Sequence, residues 1–387
     1  MNSFGKYLEQ ELASIEEEGL RRDLRRVDSG QGARVVVDGR EVLNFSSNDY
    51  LGLAGHAALR EAACEAVAEF GAGAGAARLV SGSLRVHHEL EESLADFKGA
   101  EAALSFATGY ATAGVIPMLV GKGDTVVIDK LAHACLVDAA RASGARLRVF
   151  KHNDLDHLKR ILEQSARRDG RVLVVTESVF SMDGDVAPLL NLVELKERHG
   201  AWLMVDEAHA TGLYGERRRG MVEEFGVSDL VEVQMGTLGK ALGAAGGYVC
   251  GSRMLVDLLV NRARSFMFST APVPAQAAAA RAGVELVQST EGEERRTVLW
   301  GLVDRLKNGL IGRGWKLPPV RSAILPLMAG DEGAAVALSD RLLEAGVWAP
   351  AIRFPTVARG AARLRLTVSA AHSQGDIDQL LEALGDA

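Results

Sequence analysis

The chain is poor in every feature that would mark it as a disulfide scaffold, a membrane protein or a nucleic-acid binder. Its three cysteines, Cys64, Cys135 and Cys250, are scattered and lack a CxxC spacing. Buried free thiols in a reducing compartment are therefore expected. No stretch approaches the roughly 20 apolar residues that span a bilayer. The opening MNSFGKYLEQELASIEEEG has neither the basic start nor the apolar run of a signal peptide. Positive charge is the scarcer sign: Lys and Arg total 44 against 51 Asp and Glu, a net charge of −7. That balance argues against wholesale binding of nucleic acid or anionic membrane. No repeat of roughly 20–50 residues is visible.

What is present describes a cytoplasmic enzyme-sized chain. At about 150 residues per domain, 387 residues suggest two or three domains. With 48% hydrophobic and 25% charged residues, the composition is that of a globular protein able to bury a core without disulfides or structural metal. Residues 1–40 read as an N-terminal helical segment whose Arg21, Arg22, Arg25 and Arg26 follow an acidic run. Residues 41–290 read as a large domain. In it, apolar strands near 125–129, 147–150, 171–177, 202–208, 231–236 and 247–251 alternate with helices such as 154–168 and 189–200. Such alternation predicts an α/β fold with a mostly parallel sheet covered by helices. The alanine-rich stretch 274–288 predicts another helix. Residues 291–387 read as a small C-terminal α+β domain, with strands near 324–328, 347–352 and 362–368 and helices near 332–345 and 374–385.

Nucleotide and metal motifs fail on inspection. The run GAGAGAARLVSGS (71–83) follows a helical stretch, whereas a dinucleotide fingerprint leaves a strand. In TLGKA (237–241) the first P-loop glycine would fall on Gln234, and Ala241 holds the required Ser/Thr position. HHELEE (87–92) is not HExxH, because Glu92 stands where the second histidine belongs, so no metal site is expected. His87 and His88 read as the exposed start of a helix.

The same segments make sense together. Asp206 ends an apolar strand, His209 follows in the turn, and Lys240 comes 34 residues after Asp206 among small residues, with Thr237 just before it. A pyridoxal-phosphate enzyme needs a lysine for the Schiff base, an acid for the pyridine nitrogen, a partner for the ring hydroxyl and an amide cradle for the phosphate.

In the order of its blocks, the sequence resembles the α-oxoamine synthase family of fold-type I pyridoxal-phosphate enzymes. The blocks are NFSSNDYLGL (44–53), SGSLRVHHELE (81–91), SFATGYATA (105–113), LAHACLVDA (131–139), TESVFSMDGD (176–185), VDEAHATGLYG (205–215), MGTLGKALG (235–243) and RLRLTVSAAH (363–372). The first and last lean towards the alanine-using branch. The resemblance implies pyridoxal 5′-phosphate as cofactor and decarboxylative condensation of L-alanine with a pimeloyl thioester of coenzyme A or acyl-carrier protein, in biotin biosynthesis. A branch joining glycine to acetyl-CoA or succinyl-CoA stays open as the alternative, as does a nucleotide-binding or regulatory protein on a related fold.

The resemblance also implies roles. Lys240 would carry the Schiff base, Asp206 would pair with the ring nitrogen, His209 with the ring hydroxyl, and His133 would stack on the ring and touch the substrate. Gly109, Tyr110 and Thr237 would hold the phosphate, for which the amides of a helix start have their own physical warrant. Ser181 would lie by the cofactor, with Glu177 in the same network. Arg365 would grip the amino-acid carboxylate with its planar fork, with Asn48 assisting; Arg363 shares its strand pattern. Arg21 (or Arg22) and Thr356 align with contacts to the acyl substrate. A homodimer with active sites at the interface is implied, with Thr270 reaching the neighbouring subunit's cofactor phosphate; a helix N-cap explains Ser269 and Thr270 equally well.

Overall fold

The structure is a computed structural model, and it describes residues 2–166 and 169–387. Residues 48–181 and 185–297 form one unit and residues 1–47, 182–184 and 298–387 the other. The division after residue 297 falls inside the helix Thr290–Gly312.

The larger unit is built on a seven-stranded sheet. Its strands run, in spatial order, Ala102–Phe106, Gly247–Gly251, Val233–Thr237, Trp202–Asp206, Val172–Glu177, Thr125–Asp129 and Arg146–Phe150. Gly247–Gly251 is antiparallel to both neighbours and all other pairings are parallel. Helices such as Ala134–Ala142, Leu155–Ser165 and Leu189–Arg198 make the crossovers. Because such strands are covered on both faces, they carry continuous apolar runs: Val126–Ile128, Leu173–Val175 and Leu203–Val205 are all buried. The parallel arrangement has one consequence for chemistry. Asp129, Glu177, Asp206 and Thr237 are each the last residue of a parallel strand, so all four emerge at the same carboxyl edge, where ligands bind in open α/β sheets. The helix expected over 154–168 is observed over Leu155–Ser165, and Arg167 and Arg168 lie outside the described residues.

In the smaller unit, Ala362–Thr367 lies between Ile324–Gly330 and Ala351–Ile352, antiparallel to both. A second sheet joins the hairpin Arg34–Val37/Arg40–Asn44 to Val347–Trp348. Val35, Val37 and Val42 form its core with Val27, Leu343 and Trp348.

Three expectations need correction. Helix covers only Ser3–Glu17 of the first forty residues, and Arg34–Val37 is a strand. Its DG turn between apolar runs is a strong hairpin signal, and Asp38 and Gly39 take the positive φ that such a turn demands (49° and 79°). Cys135 and Cys250 are buried, but Cys64 is exposed. His87 is fully buried rather than exposed, its ring bonded to the Leu84 amide (3.1 Å) and the Pro272 carbonyl (2.8 Å); His88 is exposed.

Candidate functional site

The carboxyl edge of the large sheet brings Asp206, His209 and Lys240 together with the two strand ends beside them. Lys240 Nζ lies 2.8 Å from His209 Nε2, and His209 Nδ1 lies 2.5 Å from the Tyr50 hydroxyl. The imidazole therefore connects a half-buried lysine to a buried tyrosine. The Asn48 side chain is 3.5 Å from the same hydroxyl. Tyr50 was not foreseen as a site residue, because nothing in the sequence pairs position 50 with position 209. The turn after Asp206 is held from below. Asp206 Oδ1 accepts the Ala208 amide at 2.9 Å. The fully buried Glu207 accepts the Val222 amide at 2.8 Å and pairs with the equally buried Lys98. Gly220, at φ 129°, leaves room for that carboxylate, since a Cβ there would sit 2.5 Å from Glu207 Oε1.

Glu177 and Asp206 place two buried carboxyl groups side by side at this edge. Burial raises both carboxyls, and the Asp206 charge pushes Glu177 up further, to about 8. The Lys240 ammonium pulls each of them back down. Glu177 Oε1 is buried with no hydrogen-bond partner. Two buried acids, one of them with an unsatisfied oxygen, make an environment that favours a cation. A protonated pyridine nitrogen fits that requirement, and Asp206 is the acid that the family resemblance implies for it.

His133 caps the helix Ala134–Ala142: its Nδ1 accepts the Cys135 amide at 3.2 Å and lies 2.9 Å from Cys135 Sγ. Burial pushes the Cys135 thiol up to about 12, so it remains a donor, and the neutral His133 ring carries its proton on Nε2. Ser181 is buried in the loop after Glu177, and the backbone of both His133 and Ser181 hydrogen-bonds towards the Glu177 carboxylate.

Gly109 and Tyr110 open a helical turn, as expected, after a Thr108 N-cap that holds the Ala111 amide (3.0 Å). A Cβ on Gly109 would lie 3.6 Å from Thr237 Oγ1, so the turn and the end of Val233–Thr237 are neighbours. A Cβ on Gly247 would lie 2.3 Å from Thr112 Oγ1 and 2.8 Å from the Gly109 Cα, so only glycine lets the turn approach the sheet this closely. Amides of a first helical turn have no partner within the helix and suit a phosphate dianion. The Thr237 hydroxyl beside them donates to the Gly246 carbonyl (2.9 Å) and accepts the Gly239 amide (3.2 Å), so it must turn from Gly246 to join them. The Tyr110 hydroxyl is bonded to Asp138.

In the smaller unit, Arg363 and Arg365 are both buried on the strand Ala362–Thr367, which rules out an exposed alternating pattern for them. Arg363 is committed to Asp183 (2.6 Å) and to the Met182 carbonyl, whereas Arg365 donates to Thr367 Oγ1 at 2.9 Å. Arg21 is exposed, with Glu16 and Asp23 within 4 Å. Its segment is tied to the one that carries Thr356: Arg353 donates to the Arg21 carbonyl, and Arg22 to the Phe354 carbonyl. Thr356 is exposed. Thr270 is not a helix N-cap. The alanine-rich helix begins at Pro274 with Val273 at the cap, and Thr270 forms an isolated bridge with Ala77.

Comparison with known proteins gives consistent results. Residues 40–384 match the family described as aminotransferase class I and II. The 8-amino-7-oxononanoate synthase of Geobacter sulfurreducens is 49% identical over 375 residues, 97% of this chain and 96% of that protein. That of Anaeromyxobacter dehalogenans is 50% identical over 375 residues, 97% and 93%. Among solved structures, serine palmitoyltransferase from S. paucimobilis, with a bound PLP–myriocin aldimine, superposes with a TM-score of 0.93 at 28% identity, covering 99% of this chain and 98% of that one.

Proposed function

Since the chain belongs to the class I and II aminotransferase family, we infer that it condenses L-alanine with a pimeloyl thioester, releasing CO2 and free thiol and yielding 8-amino-7-oxononanoate for biotin biosynthesis. The observation that carries this reading is the Lys240 amine held 2.8 Å from His209 at the sheet edge where Asp206 and Glu177 emerge. Pyridoxal 5′-phosphate, when bound, supplies an electron sink beside the substrate α-carbon. Lys240 would hold the cofactor covalently through Nζ and, with its amine free, would carry the substrate α-proton. Asp206 keeps the ring nitrogen protonated. His209, steadied by Tyr50, would bind the ring hydroxyl, and His133 would pack against the cofactor. Gly109, Tyr110 and Thr237 hold the phosphate, and Ser181 borders the ring.

Arg365 binds the alanine carboxylate, helped by Asn48; its burial and planar fork support this role. Arg21 and Thr356 contact the acyl chain, supported by the hydrogen bonds that join their two segments. The chain acts as a homodimer. Support comes from the Ala77–Thr270 bridge, beside which Leu79, Val80 and Phe268 are 51%, 79% and 68% exposed. A partner would cover such a patch.

The test is turnover. Purified protein should show a visible cofactor band that changes with L-alanine. It should release CO2 and thiol from pimeloyl-CoA or pimeloyl-acyl-carrier protein. Turnover of glycine with a short acyl-CoA, and none with alanine and either pimeloyl thioester, would overturn the reading.

A further inference from the structure

We propose that His152 is a positioning residue, a cation that clamps the turn leading to His133 to the loop carrying Ser181. The proposal rests on the reading that His133 and Ser181 serve the reaction. His152 follows the strand Arg146–Phe150, and each of its ring nitrogens faces a carboxylate. Nδ1 is 3.0 Å from Asp129 Oδ1 and Nε2 is 2.8 Å from Asp185 Oδ2. An ionised carboxylate only accepts hydrogen bonds, so both nitrogens donate and the ring is an imidazolium. Burial opposes that charge, yet the hydrogen bonds to Asp129 and Asp185 outweigh it and push the group up to about 10. Phe180 packs edge-on against the ring, with centroids 4.4 Å apart.

Each carboxylate governs a different loop. Asp129 ends its strand, and its Oδ1 also accepts the Leu131 amide (2.8 Å) while Oδ2 accepts the Asn153 amide (3.0 Å). Its carbonyl takes the Ala132 amide, so the residues immediately before His133 wind around Asp129. Asp185 closes the other loop. Its carbonyl accepts the Phe180 amide at 3.0 Å, the Val179–Val186 bridge lies beside it, and Ser181 comes next after Phe180. Asn153 adds a bond to the same Asp185 oxygen (3.0 Å). One cation thus joins two loops whose backbones both hydrogen-bond towards the Glu177 carboxylate. Without it, two buried or half-buried carboxylates would face each other, and both loops would lose their common anchor.

The experiment compares holoprotein with His152→Asn by amide exchange and by kinetics. The Leu131 and Phe180 amides should exchange faster together, while the Ala208 amide in the Asp206 turn keeps its protection. The cofactor band should persist, with kcat falling about tenfold to a hundredfold and the KM for L-alanine moving much less. In a Ser181→Ala background the kcat loss from His152→Asn should shrink, because the residue acts through that loop. Unchanged exchange at both amides, or fully additive kcat losses, would overturn the proposal. Should His152→Asn fail to fold, Asp185→Asn replaces it. That variant should release Phe180 and leave Leu131 protected, and release of both or neither would count against the clamp. The expected exchange pattern in a wild type that cannot turn over alanine and a pimeloyl thioester would overturn the functional reading and leave the clamp standing.

Discussion

Glu177 and Asp206 stand opposite each other at the ends of adjacent parallel strands, both buried. The pairing follows from the register of the sheet, and it makes this edge a place where negative charge is costly until a cation joins it.

That cost has a pH signature. Burial and, after it, the Asp206 charge push the Glu177 carboxyl up from its ordinary 4.5 to about 8 in the folded chain. Between those values the folded state holds a proton that the unfolded chain has lost, so stability falls as pH rises from about 4.5 to about 8. Urea denaturation of cofactor-free protein at pH 5 and pH 8 should show this loss, and Glu177→Gln should reduce it. Equal losses in the two proteins would mean that Glu177 does not hold its proton on folding.

Lys240→Ala removes the covalent anchor and the proton carrier together, so kcat should fall by about 10⁴-fold or more. Lys240 is half-buried, so the variant should fold with a circular dichroism spectrum like that of wild type. Borohydride should fix the cofactor to the peptide containing Lys240. Labelling on another lysine would overturn the assignment.

These residues were legible because the chemistry and the local pattern coincide. An apolar run ending in Asp206 and a lysine among glycines at the end of another strand are both read within a few residues. What was hidden depends on pairs distant in the chain. Glu91 looks like a solvated helix residue, yet it is buried in a bidentate pair with Arg78 (2.7 and 2.9 Å). Lys98 is buried because Glu207 waits more than a hundred residues later. Tyr50, His152 and Asp185 escaped for the same reason. The hairpin at 34–44 is a different case: its DG turn is legible in the sequence, but the charged run before it carries a helix-like pattern that masks the strand start.

Gly247→Ala tests the phosphate cradle. The new Cβ would sit 2.3 Å from Thr112 Oγ1 and 2.8 Å from the Gly109 Cα, so the turn must move off the sheet. Overpacking of this kind typically costs about 1–3 kcal/mol. If the cost falls on the cradle, cofactor affinity should drop roughly tenfold or more. Gly301→Ala is the control: the glycine is exposed on a helix with nothing within 4 Å of a Cβ, so it should raise stability by up to about 1 kcal/mol and leave cofactor affinity alone. Equal cofactor affinity in Gly247→Ala and wild type would show that the turn does not hold the phosphate.

Thr270 decides whether the site is shared between subunits. It sits on an exposed segment bridged to Ala77, three residues before the cap of the alanine-rich helix, so stabilising that helix is not its task. If its hydroxyl serves the neighbouring subunit's cofactor phosphate, Thr270→Ala should lower cofactor affinity without changing the helix. Mixing Thr270→Ala chains with Lys240→Ala chains then separates the possibilities. In a heterodimer with shared sites, both defects fall in one site and the other keeps native Lys240 and native Thr270. Activity after subunit exchange should therefore exceed that of either parent, approaching half of one wild-type dimer for each heterodimer formed. Chains shown to exchange, with Thr270→Ala inactive by itself and no recovery on mixing, would place Thr270 in its own subunit's site.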